Sequence, residues 1–370
     1  MDLIYTVYNY LICLVPFLVF LAFTPQLTRK SESFGVSIPE DRYEDPAVKR
    51  IRDVYRKQTL LYGGLITALS FGIDALFKND ISFITFPVSL ILLLGVSSIF
   101  YLKGHKRMKS LKAERKWTET RPQVAMADTK FRQKRILCSP WWFLSYGLLI
   151  GVTLALEFIF YDIIPEQIPL NFNLQGEPVR WITKSYKAMF FGPVMQLLMA
   201  GLMVFVYWII GKAKQQIDPS DPEQSLIKNQ IFRYRWSVYI VFSGLMLIIL
   251  FGLMPFIGLI KIGWIVAALP LGISGLVVIW AIVLSFTTGQ GGSRISIGKT
   301  KTGEPINRDD DRYWKLGVFY YNPDDPALFV EKRFGIGWTS NFARPMSWIL
   351  IIGFIAVIII IIAITNSLTK

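Results

Sequence analysis

Residues 165–184 read PEQIPLNFNLQGEPVRWITK, a polar island set between two long apolar runs at 141–163 and 186–211. Each run is long enough, at about 1.5 Å per helical residue, to cross a hydrocarbon core about 30 Å thick. The island is therefore a connection at one face of a bilayer. Asn171, Asn173, the Gln175-Gly176 pair, Pro165, Pro169 and Pro178 favour turns over a continued helix. They cap, accept positive φ or remove a backbone donor.

Composition extends this reading to the whole chain. Of 370 residues, 53% are hydrophobic, 15% aromatic and only 18% charged, which as a soluble protein would demand an implausibly large core. Apolar runs of spanning length lie at about 4–24, 58–77, 81–102, 141–163, 186–211, 237–258, 262–287 and 346–365. The expected fold is an all-α integral membrane protein of about eight transmembrane helices, with a small mixed cap before the last helix. It divides into a three-helix region with basic loops (1–140), a two-helix module with connection 164–185 (141–211) and a helical hairpin pair (212–287). An aromatic and acidic segment (288–345) and a final helix (346–370) complete it.

Charge sets the expected orientation. Alternate connections at 25–57, 103–140, 212–236 and 288–345 hold 8, 12, 5 and 9 basic residues, 34 of the 40 present. Because basic loops stay inside, these four are read as cytosolic, with both termini and the 164–185 island outside a bacterial plasma membrane. The net charge of +14 is read as a topology and anionic-lipid signal, with the acidic inner leaflet as partner. The basic residues are split among loops instead of forming one domain, which argues against nucleic acid. Residues 45–57 carry Val48, Ile51, Val54 and Tyr55 on one side, an expected surface helix, and Lys103–Pro140 is expected to begin as a solvated helix on headgroups.

The pattern Ile168-Pro169, Asn173, Gly176, Glu177, Arg180, Trp181 and Lys184 resembles the signature of a small membrane module that also opens the Sdp-type toxin-immunity proteins of Gram-positive bacteria. Those proteins protect a producer from its own killing peptide. The resemblance covers about residues 140–210 and stops after the fifth span. A second stretch, Asp309–Pro345, resembles an extension on a larger subset of such membrane proteins. Neither resemblance brings a known reaction.

Candidate functional residues follow. Asn173, Gly176, Glu177, Arg180, Trp181 and Lys184 are a recognition surface for a peptide or envelope ligand, or else a turn with a headgroup-level anchor. Asp74 and Glu157 are the carboxylates set deepest in spans, where charge is costly, and form a candidate proton or cation path or else lie near an interface. In the last loop, Asp309, Trp314, Asn322, Asp324, Asp325 and Arg333 mark a folded cap that could meet a cytosolic regulator. There VFYY enters a turn at NPDD, and LFVEKRFGIGWT is the expected partner strand.

His105 is the single histidine, expected neutral and exposed, so no His-based triad or zinc site can be assembled. Cys13 and Cys138 are expected as free thiols at different depths. With no GxxxxGK[ST], CxxC or HExxH, no cofactor or metal is expected. Three classes remain: a non-enzymatic immunity, sensing or signalling protein, a transporter or flippase using the carboxylates, and a membrane enzyme on lipid or cell-wall precursors.

Overall fold

The computed structural model describes residues 10–77, 82–117, 136–172, 178–217, 221–259, 263–297 and 309–368. A π-turn at Tyr10–Leu14 leads into α1 (Val15–Leu27), followed by α2 (Pro46–Leu76), α3 (Ser82–Glu114) and α4 (Leu144–Ile159). Then come α5 (Phe191–Lys212), α6 (Pro222–Leu253), α7 (Gly263–Thr288) and α8 (Pro345–Leu368). Six helices are long and apolar enough to cross a membrane, and the two outermost are apolar but shorter over their described residues. The chain is a mostly all-α polytopic membrane protein.

Local chemistry sets the helix starts. Asp45 accepts a hydrogen bond from the Ala47 amide at 2.9 Å with Pro46 in the first turn, and Asp221 accepts from Gln224 at 3.1 Å ahead of Pro222. In both, a carboxylate satisfies an orphan N–H and proline occupies a position where its missing donor costs nothing. The expected surface helix at 45–57 is instead the first three turns of one 31-residue helix, α2. Likewise α3 carries 103–114 as a straight continuation of the span. Lys and Arg are good helix formers, so an apolar window ends before the helix does.

Burial along the helices runs opposite to that of a soluble protein. On α2, Thr59, Gly63, Ser70 and Asp74 form an inward stripe at helical spacing, while Leu61, Leu65, Leu69 and Ile73 face out. Small and polar residues hold the helices together where the surrounding solvent is as apolar as leucine. Two groups result: α1, α2 and α3 pack together, as do α4, α5, α6 and α7, with α1 also touching α7.

Four two-stranded hairpins decorate the ends. At the end of the molecule where the basic connections gather, β1 (Glu32–Ser33) pairs with β2 (Val36–Ser37), and β5 (Trp314–Lys315) pairs with β6 (Phe319–Tyr320). β7 (Phe329–Glu331) pairs with β8 (Trp338–Ser340). The expected pairing of VFYY with LFVEKRFGIGWT is thereby corrected. Gly317 and Gly337, at φ +72° and +112°, let each segment turn back on itself, and the two hairpins meet through a parallel bridge from Tyr320 to Asn341 and the packing of Trp314 and Tyr320 on Val330. Gly35 and Gly317 both lie at φ +72°, and a Cβ on Gly35 would collide with the Gly317 backbone. That contact seats Phe34, fully buried, 5.4 Å from the Tyr55 ring and 5.9 Å from Phe334.

The fourth hairpin is the island itself. β3 (Gln167–Phe172) pairs with β4 (Pro178–Thr183), with irregular register around Asn171. The sequence indicated turns here and missed the strands, whose buried face is Ile168 and Ile182.

Candidate functional site

At the hairpin end, alternation decides what faces where. Ile168 sits opposite Ile182 and both are buried, packing on Ile164, Ala188, Met189, Tyr161 and Phe256. Trp181, one residue away, points to the other face and is 47% exposed. At the same end exposed Phe158, Tyr186 and Phe190 form an aromatic collar, with Tyr161 and Tyr186 stacked at 4.9 Å, as aromatic residues gather at a membrane–water boundary.

Lys184 turns inward. Its ammonium donates to the carbonyls of Ile164 at 3.0 Å and Tyr161 at 3.3 Å, lies 3.2 Å from Glu166, and leaves the side chain 8% exposed. A cation on the last carbonyls of a helix satisfies orphan acceptors and opposes the negative helix end. Lys184 is thus a clamp between the hairpin and the turn that follows α4. Arg180 lies on β4 opposite Asn171. Asn173, Gly176 and Glu177 lie outside the described residues.

Beneath the hairpin lies Glu157, one turn from the end of α4 and 2% exposed. Its Oε1 accepts no hydrogen bond from the described residues. A Cβ on Gly192 of α5 would sit 3.5 Å from that oxygen, so helix backbone is its near neighbour. One turn further in, Gln196 donates to Thr153 Oγ1 at 3.0 Å and to the Ile248 carbonyl at 2.9 Å, joining α4, α5 and α6. Its own Oε1 is also unpartnered among the described residues. Gly252 makes this approach feasible, since a Cβ there would come within 2.6 Å of Gln196 Nε2 and 2.7 Å of Thr153 Oγ1. A cavity of about 10 Å³ adjoins Glu157, lined by Phe158, Tyr161 and Tyr186, which is about the room one water needs.

Asp74 belongs to the other helix group, so the structure does not unite it with Glu157 in one path. It is 1% exposed, accepts from Tyr10 Oη at 2.9 Å and accepts from Thr85 Oγ1. One turn away, Ser89 donates to Ser70 at 2.6 Å.

At the cap end the polar groups are ionic. Arg333 is 1% exposed and donates to Asp310, Asp311 and the Gly35 carbonyl, with the Trp314 ring 5.1 Å from its guanidinium carbon. Lys112 donates to Asp309, Asp311 and Ser37, each at 2.7 Å. Glu331, fully buried, meets Arg29, accepts from Asn229 at 2.8 Å and lies 3.4 Å from Arg233. Arg233 in turn donates to the carbonyls of Ile210 and Ala213 at the end of α5.

Asp325 accepts from Lys214 at 2.6 Å and Tyr320 at 2.8 Å. Asn322 bonds Tyr320 and the backbone of Asp324, whose side chain is exposed. Burial opposes ionisation of Asp311, yet the charges of Arg333 and Lys112 outweigh it and hold the carboxyl below its ordinary range. Lys214 does the same for Asp325 against burial. Lys112 is 8% exposed, which corrects the expectation of a solvated helix at that point. His105 is half-buried, its Nδ1 2.8 Å from the Phe34 carbonyl, and not the exposed group expected. Cys13 and Cys138 are free thiols, as expected.

Sequence reasoning found Asp74, Glu157, Asp309, Asp325 and Arg333 but missed Gln196, Arg29, Lys112, Arg233 and Glu331. The missed cations read as topology signals. A cluster of acids at 309–311, 324–325 and 331 inside the basic half of the protein was the available hint.

Two family descriptions fall on these two regions. Residues 148–197 match a domain of unknown function (DUF1648), and residues 323–348 match a family of unknown function (DUF5808). The first spans Glu157, the hairpin, Lys184 and Gln196, and the second spans Asp325, Glu331, Arg333 and Asn341. No curated protein and no solved structure matches the chain.

Proposed function

We propose that this is a non-enzymatic membrane protein of immunity or sensing type in a bacterial plasma membrane, whose recognition element is the outward β3–β4 hairpin. The basic-loop rule places the hairpin outside and the cap inside, where a cytosolic regulator could meet it. The observation that carries the reading is the position of Glu157: a buried oxygen with no donor among the described residues lies one layer in from the hairpin, across Tyr161 and Met189. An unsatisfied buried acceptor costs about 1–3 kcal/mol, so a ligand that shifts the hairpin and admits a donor gains differential affinity for the shifted state. The exposed face, with Trp181 and the aromatic collar, suits an amphipathic peptide or an envelope precursor.

The test is deletion of the gene, challenge with membrane-active peptides and cell-wall antibiotics, and complementation. Deletion should sensitise cells, the parent should restore protection, and Trp181→Ala with Arg180→Gln should fail to restore it at unchanged protein abundance. Unaltered sensitivity on deletion, or full protection by the double variant, would sink the proposal.

A second reading, transport, draws on the same acceptor: Glu157 beside a water-sized cavity is a candidate proton carrier, with Asp74 set apart from it. Glu157→Gln should then abolish proton flux into proteoliposomes, and flux equal to the parent's removes this reading.

A further inference from the structure

A second cavity, of about 390 Å³, opens at the cap end between the start of α2, the segment after α1 and the turn after α7. Its volume lies within the roughly 300–1,000 Å³ of small-molecule sites. Five basic residues line it, Lys30, Lys49, Arg52, Arg56 and Arg294, against the two acids Glu44 and Asp53. Asp53 is occupied by Arg56 at 3.0 Å, and Arg294 donates to the Gln26 and Phe286 carbonyls at 2.9 and 3.0 Å, closing the ends of α1 and α7. Lys30 and Lys49 form no ion pair among the described residues.

Arg52 carries the inference. It is 5% exposed, stacked 3.8 Å over the Tyr43 ring, and its single carboxylate contact is Glu44 at 3.9 Å, a side chain 72% exposed. Its Nη1 donates to nothing among the described residues, and neither does the buried Ser293 Oγ on the same cavity wall. A guanidinium this buried is ordinarily held by a matching anion. Here the fold packs the flat face against an aromatic ring and sets Nη1 and Ser293 Oγ, both closed to solvent, behind the wall of a net positive cavity, where a phosphate that moves the wall would meet them. The Phe23 and Phe286 rings, 6.1 Å apart, lie under Arg56 and Arg294, so the cavity sits where apolar span gives way to charge.

We propose that this cavity binds a phosphate group, with Arg52 as its buried fork, Ser293 as a hydroxyl donor, and Lys30 and Lys49 as its rim. Arginine presents paired donors that fit phosphate oxygens, and the lysines add charge without fixed geometry. Basic pockets between helices at the cytosolic membrane level take lipid headgroups in this way. The site is independent of the hairpin, which lies at the opposite ends of the spans.

The experiment measures melting of the full-length protein in a neutral detergent while titrating phosphatidylglycerol, phosphatidylcholine or sodium phosphate at constant ionic strength. Phosphatidylglycerol should raise the melting temperature saturably and phosphatidylcholine should not. Saturation by sodium phosphate at matched affinity assigns the site to a soluble phosphorylated compound, and response to the lipid alone assigns it to a headgroup. Lys30→Gln with Lys49→Gln should weaken the apparent affinity at least about fivefold, the sum of two exposed charge contacts. Lys106→Gln with Lys109→Gln, on the exposed part of α3, should leave it unchanged. Arg52→Met should abolish saturation, and should it fail to fold, the lysine pair decides. Absence of a saturable response to both phosphatidylglycerol and phosphate, unchanged affinity in the Lys30 and Lys49 variant, or equal weakening in the α3 variant overturns the proposal.

Discussion

The acidic cap and the hairpin end treat their buried carboxylates in opposite ways. At the cap end Asp309, Asp310, Asp311, Asp325 and Glu331 each face a lysine or arginine. At the hairpin end Asp74 faces two hydroxyls, and one oxygen of Glu157 faces no donor among the described residues. A buried ion pair contributes little net stability when intact but costs heavily when half of it is removed. The cap therefore has a high penalty for any alteration, and the hairpin end has a reserve of unmade interactions.

This contrast ranks the expected effects of substitution. Glu331→Gln leaves Arg233, 1% exposed, and Arg29 without their shared anion, and should destabilise by about 3–5 kcal/mol in a detergent melt. A loss under about 1 kcal/mol would mean that the cap charges are solvated and the contrast false. Asp74→Asn weakens two charge-assisted bonds from Tyr10 and Thr85 and should cost about 1.5–3 kcal/mol. Glu157→Gln removes a group already short of donors, so stability should stay within about 0.5 kcal/mol or rise. A loss as large as that of Asp74→Asn would show that Glu157 is satisfied after all.

Acid tests the cap. Asp311 and Asp325 have folded-state pKa values below their unfolded ones, so their stabilisation is complete above the unfolded value, about 3.9. It is lost as pH falls through the lower folded values. Melting followed from pH 6 to pH 3 should therefore show the parent losing stability below about pH 4. In Asp311→Asn with Asp325→Asn, which has already lost both carboxylates, that decline should be shallower; equal slopes would place the acid sensitivity elsewhere.

The eight helices were legible because bilayer thickness imposes a length that no soluble helix needs, and each apolar run from 58–77 to 346–365 has its helix. Their cap-end extensions were not, because Lys49 to Lys57 and Lys103 to Lys112 are helix formers that end a hydropathy window without ending a helix. The hairpin escaped notice because Pro169, Asn171 and Pro178 signal turns, whereas the strands are held by a tertiary contact, Ile168 and Ile182 on Phe256. In the candidate sites the carboxylates stood out by their cost in a span, but Gln196, a neutral amide, carried no such signal. The cap partners were hidden for a further reason: Arg29 and Glu331 are separated by 302 positions, and no local pattern encodes which basic loop meets which acid.

The position of Glu331 and its neighbouring acids late in the chain gives the cap a place in time. During synthesis seven helices emerge before residue 309, with Arg29, Lys112, Lys214 and Arg233 still lacking the carboxylates that later hold them. A ribosome adding about 5–20 residues per second leaves those cations several seconds without their protein partners before the acids arrive. Closure of the cap is thus a late step, made only after the helices whose cations it pairs have been synthesised.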